Sequence, residues 1–243
     1  MNIAECYEIL GLAPGASVNE IRQAYRKLAL RYHPDKNSEK DGDRFKMITD
    51  AYQALKSQPH MEAKPTAKFS DLYPEDAVSW HDQAEVLYAK RNYEEALVLY
   101  GKATDRLPRY ENAWLRKGDC LSSLKRYDDA LVCYDKVLEI NPESMSAWNL
   151  KGVCLSDLKR YEAALESFDE AIILNPRHEA IWNFRGVCLY SLKRYDEALD
   201  SFDKAIKLNP GFAPAWRNKG NLLLEMGRKK DAKKCIEQAK NLL

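Results

Sequence analysis

Apolar residues follow helical spacing through the first sixty residues of the chain. In a first segment they alternate in steps of three and four, at Val18, Ile21, Tyr25, Leu28 and Tyr32. A second segment keeps similar spacing at Phe45, Ile48, Tyr52 and Leu55. Because Pro34 disfavours helix for the residue before it, the first helix is expected to end near Tyr32. The pattern predicts an antiparallel helical hairpin, with a short leading helix at residues 7–10 covering it.

The polar residues of this hairpin form a pattern of their own, a basic helix face followed by the tripeptide His-Pro-Asp. Four basic side chains lie on the side of the first predicted helix that faces away from its apolar stripe: Arg22, Arg26, Lys27 and Arg31. The loop that follows begins with His33, Pro34 and Asp35. A metal site would need further ligands nearby, and an acid/base pair would need a nucleophile and an enclosed cavity. A rigid contact with another protein and simple loop punctuation both stay open.

A pattern with a period of 34 residues fills the rest of the chain. All five tryptophans keep this step, at Trp80, Trp114, Trp148, Trp182 and Trp216. Glycine follows four residues later in four copies, at Gly118, Gly152, Gly186 and Gly220. Alanine recurs sixteen residues after every tryptophan, and an aromatic residue recurs twenty after the first four. Proline, which stops helices, closes four units. The period predicts helix pairs, each crossing closely at glycine or alanine, that stack into a solenoid.

This signature resembles the tetratricopeptide repeat (TPR) family over residues 77–243. The resemblance implies a right-handed α-solenoid of five repeats, at residues 77–110, 111–144, 145–178, 179–212 and 213–243. Its first helices would line a groove that binds peptides or proteins. The groove positions singled out in this chain are Asn149, Asn183, Tyr190, Arg217 and Asn221. Asn149 and Asn183 are expected to be exposed amides, available to a peptide backbone or simply solvated. The set of residues with which some family members clamp a terminal carboxylate is missing from the corresponding positions.

The N-terminal segment has a second resemblance. The stretch "YEILGLAPGASVNEIRQAYRKLALRYHPDKN", followed by "FKMITDAYQAL", is similar to the J domain of DnaJ-like co-chaperones. The resemblance implies that His33, Pro34 and Asp35 dock on a DnaK-type ATPase chaperone and trigger hydrolysis of its ATP. It assigns Arg22, Tyr25, Arg26, Lys27 and Arg31 to a basic face that meets an acidic patch of that partner. The glycine/phenylalanine-rich, zinc-binding and β-sandwich regions of full-length DnaJ-type proteins are not found in this sequence.

Composition narrows the class of protein. The net charge is +1 with 31% charged residues, which argues against a general nucleic-acid or membrane binder. A basic file recurs with the repeat, at Lys117, Lys151, Arg185 and Lys219, and local ion pairs are expected to neutralise the basic residues of the repeats. No run approaches the ~20 apolar residues that span a bilayer, so a cytoplasmic location is expected. The six cysteines lack a Cys-x-x-Cys pair and are expected to be buried and reduced, with no metal or cofactor.

The sequence therefore predicts an all-α protein with a J domain at 1–58, a linker at 59–76 and five TPR repeats at 77–243. The expected function is that of a co-chaperone and not an enzyme. Its J domain would stimulate the ATPase of a DnaK-type chaperone, and its solenoid would recruit a protein client or partner. One alternative is a scaffold whose solenoid assembles a complex while the J domain only localises it to chaperone. A nucleic-acid or acidic-ligand binder is a weaker third hypothesis, because acidic residues flank the basic ones.

Overall fold

The computed structural model describes residues 2–14, 16, 18–32, 39–56 and 74–242. At positions 18, 19, 26, 30, 31 and 39–42 the description covers the backbone alone. The chain divides into two compact units, residues 1–67 and 68–243. This division falls inside the predicted linker, most of which lies outside the described residues. The first helix of the second unit already begins at Glu75, so the bounds of the linker stay a prediction.

The N-terminal unit is built from three helices: α1 (Ile3–Ile9), α2 (Val18–Arg31) and α3 (Glu39–Lys56). Helix α1 begins earlier than residues 7–10 suggested, because Asn2 and Glu5 form a capping box at its start. The core contains apolar residues of all three helices: Cys6, Tyr7, Leu10, Ile21, Ile48, Ala51, Tyr52 and Leu55. Tyr25 stacks on Tyr52 with ring centroids 4.2 Å apart. The apolar stripes predicted for α2 and α3 thus face each other.

The second unit consists of five consecutive helix pairs. The pairs are α4 (Glu75–Ala89) with α5 (Tyr93–Arg106), α6 (Glu111–Ser123) with α7 (Tyr127–Ile140), α8 (Met145–Asp157) with α9 (Tyr161–Leu174), α10 (Glu179–Ser191) with α11 (Tyr195–Leu208), and α12 (Ala213–Glu225) with α13 (Lys229–Asn241). Each helix packs against the next along the chain. The described part of the chain contains no strand, so the all-α prediction is confirmed. No helix in the described ranges is both long and apolar enough to cross a membrane.

Glycine permits the close crossing inside four of the five pairs. A Cβ atom added at Gly152 would lie 2.6 Å from Cε1 of Phe168, and one at Gly118 would lie 2.5 Å from Cε1 of Tyr134. Gly186 has the same relation to Phe202 at 2.5 Å. The three rings are essentially inaccessible to solvent. The glycine and the aromatic residue sixteen positions later therefore form one structural element, in which the ring occupies the space of the missing side chain.

Replacement of Gly152 by Ala is expected to lower the free energy of unfolding by about 1–3 kcal/mol, because the Phe168 ring must be displaced within a packed core. Urea unfolding followed by circular dichroism measures this loss. Gly101→Ala is the matched control, since Gly101 lies within α5 and a Cβ atom there would meet nothing within 4 Å. That control is expected to stabilise the solenoid by about 0.5–1 kcal/mol. Equal effects of the two substitutions would contradict the assignment.

The recurring tryptophans and cysteines have structural roles. The indole nitrogen of Trp114 donates to the carbonyl oxygen of Pro108 at 2.9 Å, and the later tryptophans repeat this bond six residues back. Cys120 packs against Ala84, Ala96 and Tyr100 of the preceding unit. Burial raises the pKa of the Cys120 thiol to about 12. All six cysteines are free and buried. Within the described ranges, no cluster of three or more His, Cys, Asp or Glu residues could hold a metal ion.

Three residues of the basic file, Lys151, Arg185 and Lys219, are neutralised by acidic residues that the sequence pattern did not identify. Lys151 bonds to Asp135 at 2.7 Å and Arg185 to Asp169 at 2.7 Å, in each case sixteen residues back. Lys219 forms the same pair with Asp203. The arginines of the turns pair separately, and these pairs are Arg126–Asp129, Arg160–Asp128 and Arg194–Glu197. The expectation of local ion pairs is therefore confirmed for these residues of the repeats.

Lys117 is the exception. The position sixteen residues before it, where the other three units have an aspartate, is occupied by Gly101. Its ammonium group lies 3.5 Å from Thr104 Oγ1 and over the Trp114 ring. We expect Gly101→Asp to be more stable than Gly101→Asn by about 0.2–1 kcal/mol, because only the carboxylate recreates the pair of the other units. The difference should shrink in high salt and vanish in a Lys117→Gln background. Thermal unfolding of the four variants tests this, and a difference that persists without Lys117 would refute it.

Candidate protein-binding surfaces

The inner side of the solenoid is formed by the first helix of each pair. Helices α6, α8, α10 and α12 contact one another in sequence, which places them along the inside of the curved stack. Two rows of side chains follow from the 34-residue step. One row contains His81, Leu115, Asn149, Asn183 and Arg217. The other, four residues later, contains Glu85, Asp119, Val153, Val187 and Asn221.

The first two units hold an ion network on this surface. The Arg116 guanidinium lies 3.0 Å from Glu85 and 3.5 Å from Asp119, and its carbon lies 5.3 Å from the centroid of the Tyr88 ring. The hydroxyl of Tyr100 donates to Glu85 at 2.6 Å. The single guanidinium and both carboxylates are therefore engaged within the protein.

Each acid of this network accepts a hydrogen bond from the buried aromatic residue fifteen positions later in the chain. Tyr134 donates its hydroxyl to Asp119 at 3.1 Å, just as Tyr100 does to Glu85. Burial raises the pKa of Asp119, although the hydroxyl of Tyr134 and the charge of Arg116 both oppose that rise. In the third and fourth units valine replaces the acid, and phenylalanine replaces tyrosine. In these four units the buried aromatic residue is therefore tyrosine where the groove position is acidic, and phenylalanine where that position is valine.

The third to fifth units present a different surface. Asn183 is 5% exposed, and its Oδ1 accepts from the amide of Asn218 at 2.9 Å, so the expectation that Asn183 is exposed was wrong. Asn149 is half-buried, and its Oδ1 is buried without a hydrogen-bond partner. Asn183 receives its hydrogen bond from Asn218, which lies 35 positions further along the chain. The residue 35 positions after Asn149 is Phe184, whose side chain cannot donate a hydrogen bond. The Phe184 ring stacks on Phe168 with centroids 5.9 Å apart.

The remaining groove residues lie at the far end of this surface. Tyr190 and Tyr195 both donate hydroxyls to Glu225, the second at 2.9 Å, and these bonds lower the pKa of that carboxyl group. Arg217 and Asn221 are exposed on α12. No acidic side chain among the described residues pairs with Arg217. This half of the groove therefore combines a free cation with a vacant acceptor.

The basic face of the N-terminal unit is described only in part. Arg22 and Tyr25 are half-buried on α2, and Lys27 is exposed. Tyr25 also supports the core through its stacking on Tyr52. The side chains of Arg26 and Arg31 lie outside the described residues, as do His33, Pro34 and Asp35.

The network of Arg116 with the two tyrosine–acid pairs was missed from the sequence. The available signal was the joint change of two positions fifteen residues apart, from an acid with tyrosine to valine with phenylalanine.

Family models match both parts of the chain. The model described as "DnaJ domain" matches residues 5–63, and the model described as "Tetratricopeptide repeat" matches residues 87–154 and 189–242. The chain belongs to the tetratricopeptide repeat proteins and carries an N-terminal DnaJ domain. A further model, "Anaphase-promoting complex, cyclosome, subunit 3", matches residues 123–205 within the repeats.

Curated relatives resemble the DnaJ domain of this TPR protein. Human DnaJ homolog subfamily A member 4 is 59% identical over 49 residues, which are 20% of this chain and 12% of that protein. The chaperone protein DnaJ of Enterococcus faecalis is 53% identical over 58 residues, which are 24% of this chain and 15% of that protein. The chain thus spans less than one sixth of the length of either relative.

The repeats resemble solved TPR-like structures. MamA from Desulfovibrio magneticus RS-1 superposes with a TM-score of 0.62 at 21% identity, covering 69% of this chain and 93% of that one. A similarity at this level of identity supports the solenoid fold and carries no statement about ligands.

Proposed function

We propose that this protein is a co-chaperone that stimulates the ATPase of a DnaK-type chaperone and recruits a protein through its TPR solenoid. The observation that carries the proposal is the DnaJ-domain match over residues 5–63, which includes His33, Pro34 and Asp35. The chain itself would bind no nucleotide, because the reaction takes place in the partner. A cytoplasmic location remains part of the proposal.

The basic residues of α2 support the direction of docking. Lys27 is exposed, and Arg22 and Tyr25 lie on the same helix at half-buried positions. Charges at the edge of an interface mainly raise the rate of association and orient the partners. We therefore assign Arg22, Tyr25, Arg26, Lys27 and Arg31 to the approach of the chaperone, and the tripeptide to the contact that triggers hydrolysis.

The solenoid supports the second half of the proposal. TPR repeats are protein-interaction modules, and the inner side of this one has two chemically different halves. A client held on the solenoid would be brought close to the chaperone through the covalent link between the two units. This increases the effective concentration of client at the chaperone without any new contact.

Single-turnover hydrolysis of ATP preloaded on a DnaK-type chaperone tests the proposal. Addition of the full chain is expected to accelerate hydrolysis in a saturable manner. Absence of acceleration by the wild-type chain, with a known DnaJ protein active in the same assay, would overturn the co-chaperone function. The scaffold alternative would then stand if the solenoid still assembles its partners in the absence of chaperone.

A further inference from the structure

The outer side of the solenoid has a furrow between successive units, and the furrow between the first two units lacks an acidic residue that the later ones contain. We infer that this first furrow, formed by α5, α6 and α7, binds a partner protein that inserts an acidic side chain beside Lys117 and covers Val132 with an apolar one. The inference goes beyond the proposed function, since the site lies outside the inner groove and requires no chaperone.

The furrow between the last two units shows the geometry of this surface. It has a volume of about 480 Å³ and is lined by residues of α11, α12 and α13. Asp203 and Lys219 form an ion pair in it, and Lys234 lines the same furrow. Because the fold repeats every 34 residues, the first furrow has corresponding walls. Three repeats earlier, the corresponding positions are Gly101, Lys117 and Val132.

Lys117 lacks the carboxylate partner of its counterparts. In the next unit Lys151 lies 2.7 Å from Asp135, sixteen residues back, whereas Gly101 occupies that position for Lys117. Among the described residues no acidic side chain pairs with Lys117, whose ammonium group lies 3.5 Å from Thr104 Oγ1. The charge is therefore available to a carboxylate from another protein.

The position of Lys117 on its helix separates this site from the inner groove. Leu115 belongs to the inner row of side chains, and Lys117 follows it by two residues. Two residues correspond to about 200° of rotation around a helix, so the two side chains point to opposite sides of α6. A ligand in the inner groove therefore does not reach Lys117.

Gly101 leaves the space of the missing aspartate open. A Cβ atom added there would meet no atom within 4 Å, whereas one at Gly118 would lie 2.5 Å from the Tyr134 ring. The close crossing of helices thus explains Gly118 and leaves Gly101 unexplained. Glycine inside a helix is less favourable than alanine, and it is used where another molecule approaches the backbone closely. The open space suits an incoming side chain.

Two exposed valines lie on the same outer surface. Val98 is 60% exposed and Val132 is 58% exposed, more than any other large apolar side chain among the described residues. Val98 precedes Gly101 by three residues, which places both on one side of α5. Exposed apolar side chains next to an unpaired cation are typical of an interaction site. The corresponding positions of the later units are charged, at Glu166, Asp200 and Lys234.

The other charged residues of the first furrow are already paired. Arg126 and Asp129 form an ion pair at 2.7 Å, and Lys136 forms one with Glu139 at 2.7 Å. Lys117 is thus the charge that a partner can neutralise. An acidic and an apolar residue three or four positions apart on a partner's helix would supply both contacts, whereas a basic segment would be repelled.

A random peptide library displayed on phage tests the inference. The library is first depleted on the immobilised Gly101→Asp variant and then selected on the wild-type chain. Gly101→Asp supplies the carboxylate from within the chain, and the depletion removes peptides that bind the inner groove, which both chains share. The surviving peptides are expected to be enriched in Asp or Glu close to apolar residues.

Fluorescence anisotropy then measures the affinity of synthetic copies of the surviving peptides. Gly101→Asp and Lys117→Gln should each weaken binding about tenfold, because each removes the ion pair with the ligand. Gly101→Asn has the size of the aspartate without its charge and should weaken binding less. Val132→Glu, which copies the third unit, should weaken it about tenfold. Glu166→Ala is the matched control at that third-unit position and should leave the affinity unchanged.

Changes in the peptide make the ion pair specific. Replacement of its acidic residue by the corresponding amide should weaken binding to the wild-type chain and remove the effect of Lys117→Gln. Thermal unfolding checks that the variants are folded, and Gly101→Asp is expected to be at least as stable as the wild type. Its loss of binding therefore cannot result from unfolding.

The inference is overturned if no peptide survives the depletion, or if the survivors lack an acidic residue. It is equally overturned if Gly101→Asn weakens binding as much as Gly101→Asp, or if Lys117→Gln has no effect. The assay contains no chaperone, so its outcome is independent of the ATPase measurement. Acceleration of hydrolysis without such peptides would leave the co-chaperone function and remove this site.

Discussion

Substitution of Asp35 by Asn is expected to reduce the acceleration of ATP hydrolysis by a DnaK-type chaperone about ten- to a hundredfold, the equivalent of one lost charge-assisted contact. The substitution keeps the size of the side chain and removes its charge. Single-turnover hydrolysis at saturating concentrations of the variant measures the effect on the triggered step. A parallel titration measures binding.

Two further variants make that result specific. Asp50→Asn changes the same side chain at an exposed site on α3 and is expected to leave the acceleration unchanged. Lys27→Ala removes an exposed charge of α2 and should slow association at low salt, with full acceleration recovered at high protein concentration. If Asp35→Asn retains wild-type acceleration, or if Asp50→Asn loses it, the assigned role of the tripeptide is refuted.

Much of the fold could be predicted because the same packing requirement recurs in each of the five repeats. Trp148, Gly152 and Phe168 recur at fixed offsets, since each unit must cross its two helices closely and cover the next unit. The periodicity alone therefore identified the helix pairs and the buried positions. In the N-terminal unit the apolar spacing predicted the contact of α2 with α3, which Tyr25 and Tyr52 form.

The groove could be predicted only as a set of positions. Equivalent residues such as Asn149 and Asn183 occupy the same place in their repeats, yet one acceptor is vacant and the other is satisfied. The difference arises from a residue one unit further along, Phe184 in one case and Asn218 in the other. Exposure and hydrogen bonding thus depend on neighbours across the repeat interface, which a reading of single repeats does not include.

The second large effect concerns the hydroxyl of Tyr134. Tyr134→Phe is expected to destabilise the solenoid at neutral pH by about 1–3 kcal/mol, because it leaves the carboxylate of Asp119 in a buried site with one bond fewer. The same change should raise the pKa of Asp119 further above its ordinary value of 3.8, since the hydroxyl stabilises the charged form. Carbon-detected NMR titration of Asp119 measures this rise, and urea midpoints measure the stability.

The pH dependence of this loss distinguishes it from a simple packing defect. Because burial already raises the pKa of Asp119 above its unfolded value, the ionised carboxylate reduces stability at neutral pH. That loss disappears as the pH falls through the folded-state pKa and the group takes up a proton. The penalty of Tyr134→Phe should shrink over the same range, since a neutral carboxyl depends less on the donated hydrogen bond.

The sequence of the third unit indicates a double substitution that should compensate for the loss of the Tyr134 hydroxyl. Val153 and Phe168 occupy the positions of Asp119 and Tyr134, so the double variant Asp119→Val with Tyr134→Phe copies a pair that this solenoid already packs. Replacing both partners by apolar groups is expected to restore most of the stability, because no buried polar group is left unsatisfied. The reverse single change, Phe168→Tyr, should destabilise at every pH, because its hydroxyl would face Val153. If Tyr134→Phe costs the same at pH 4 as at pH 7, or if the double variant is no more stable than the single one, the hydroxyl does not serve the carboxylate.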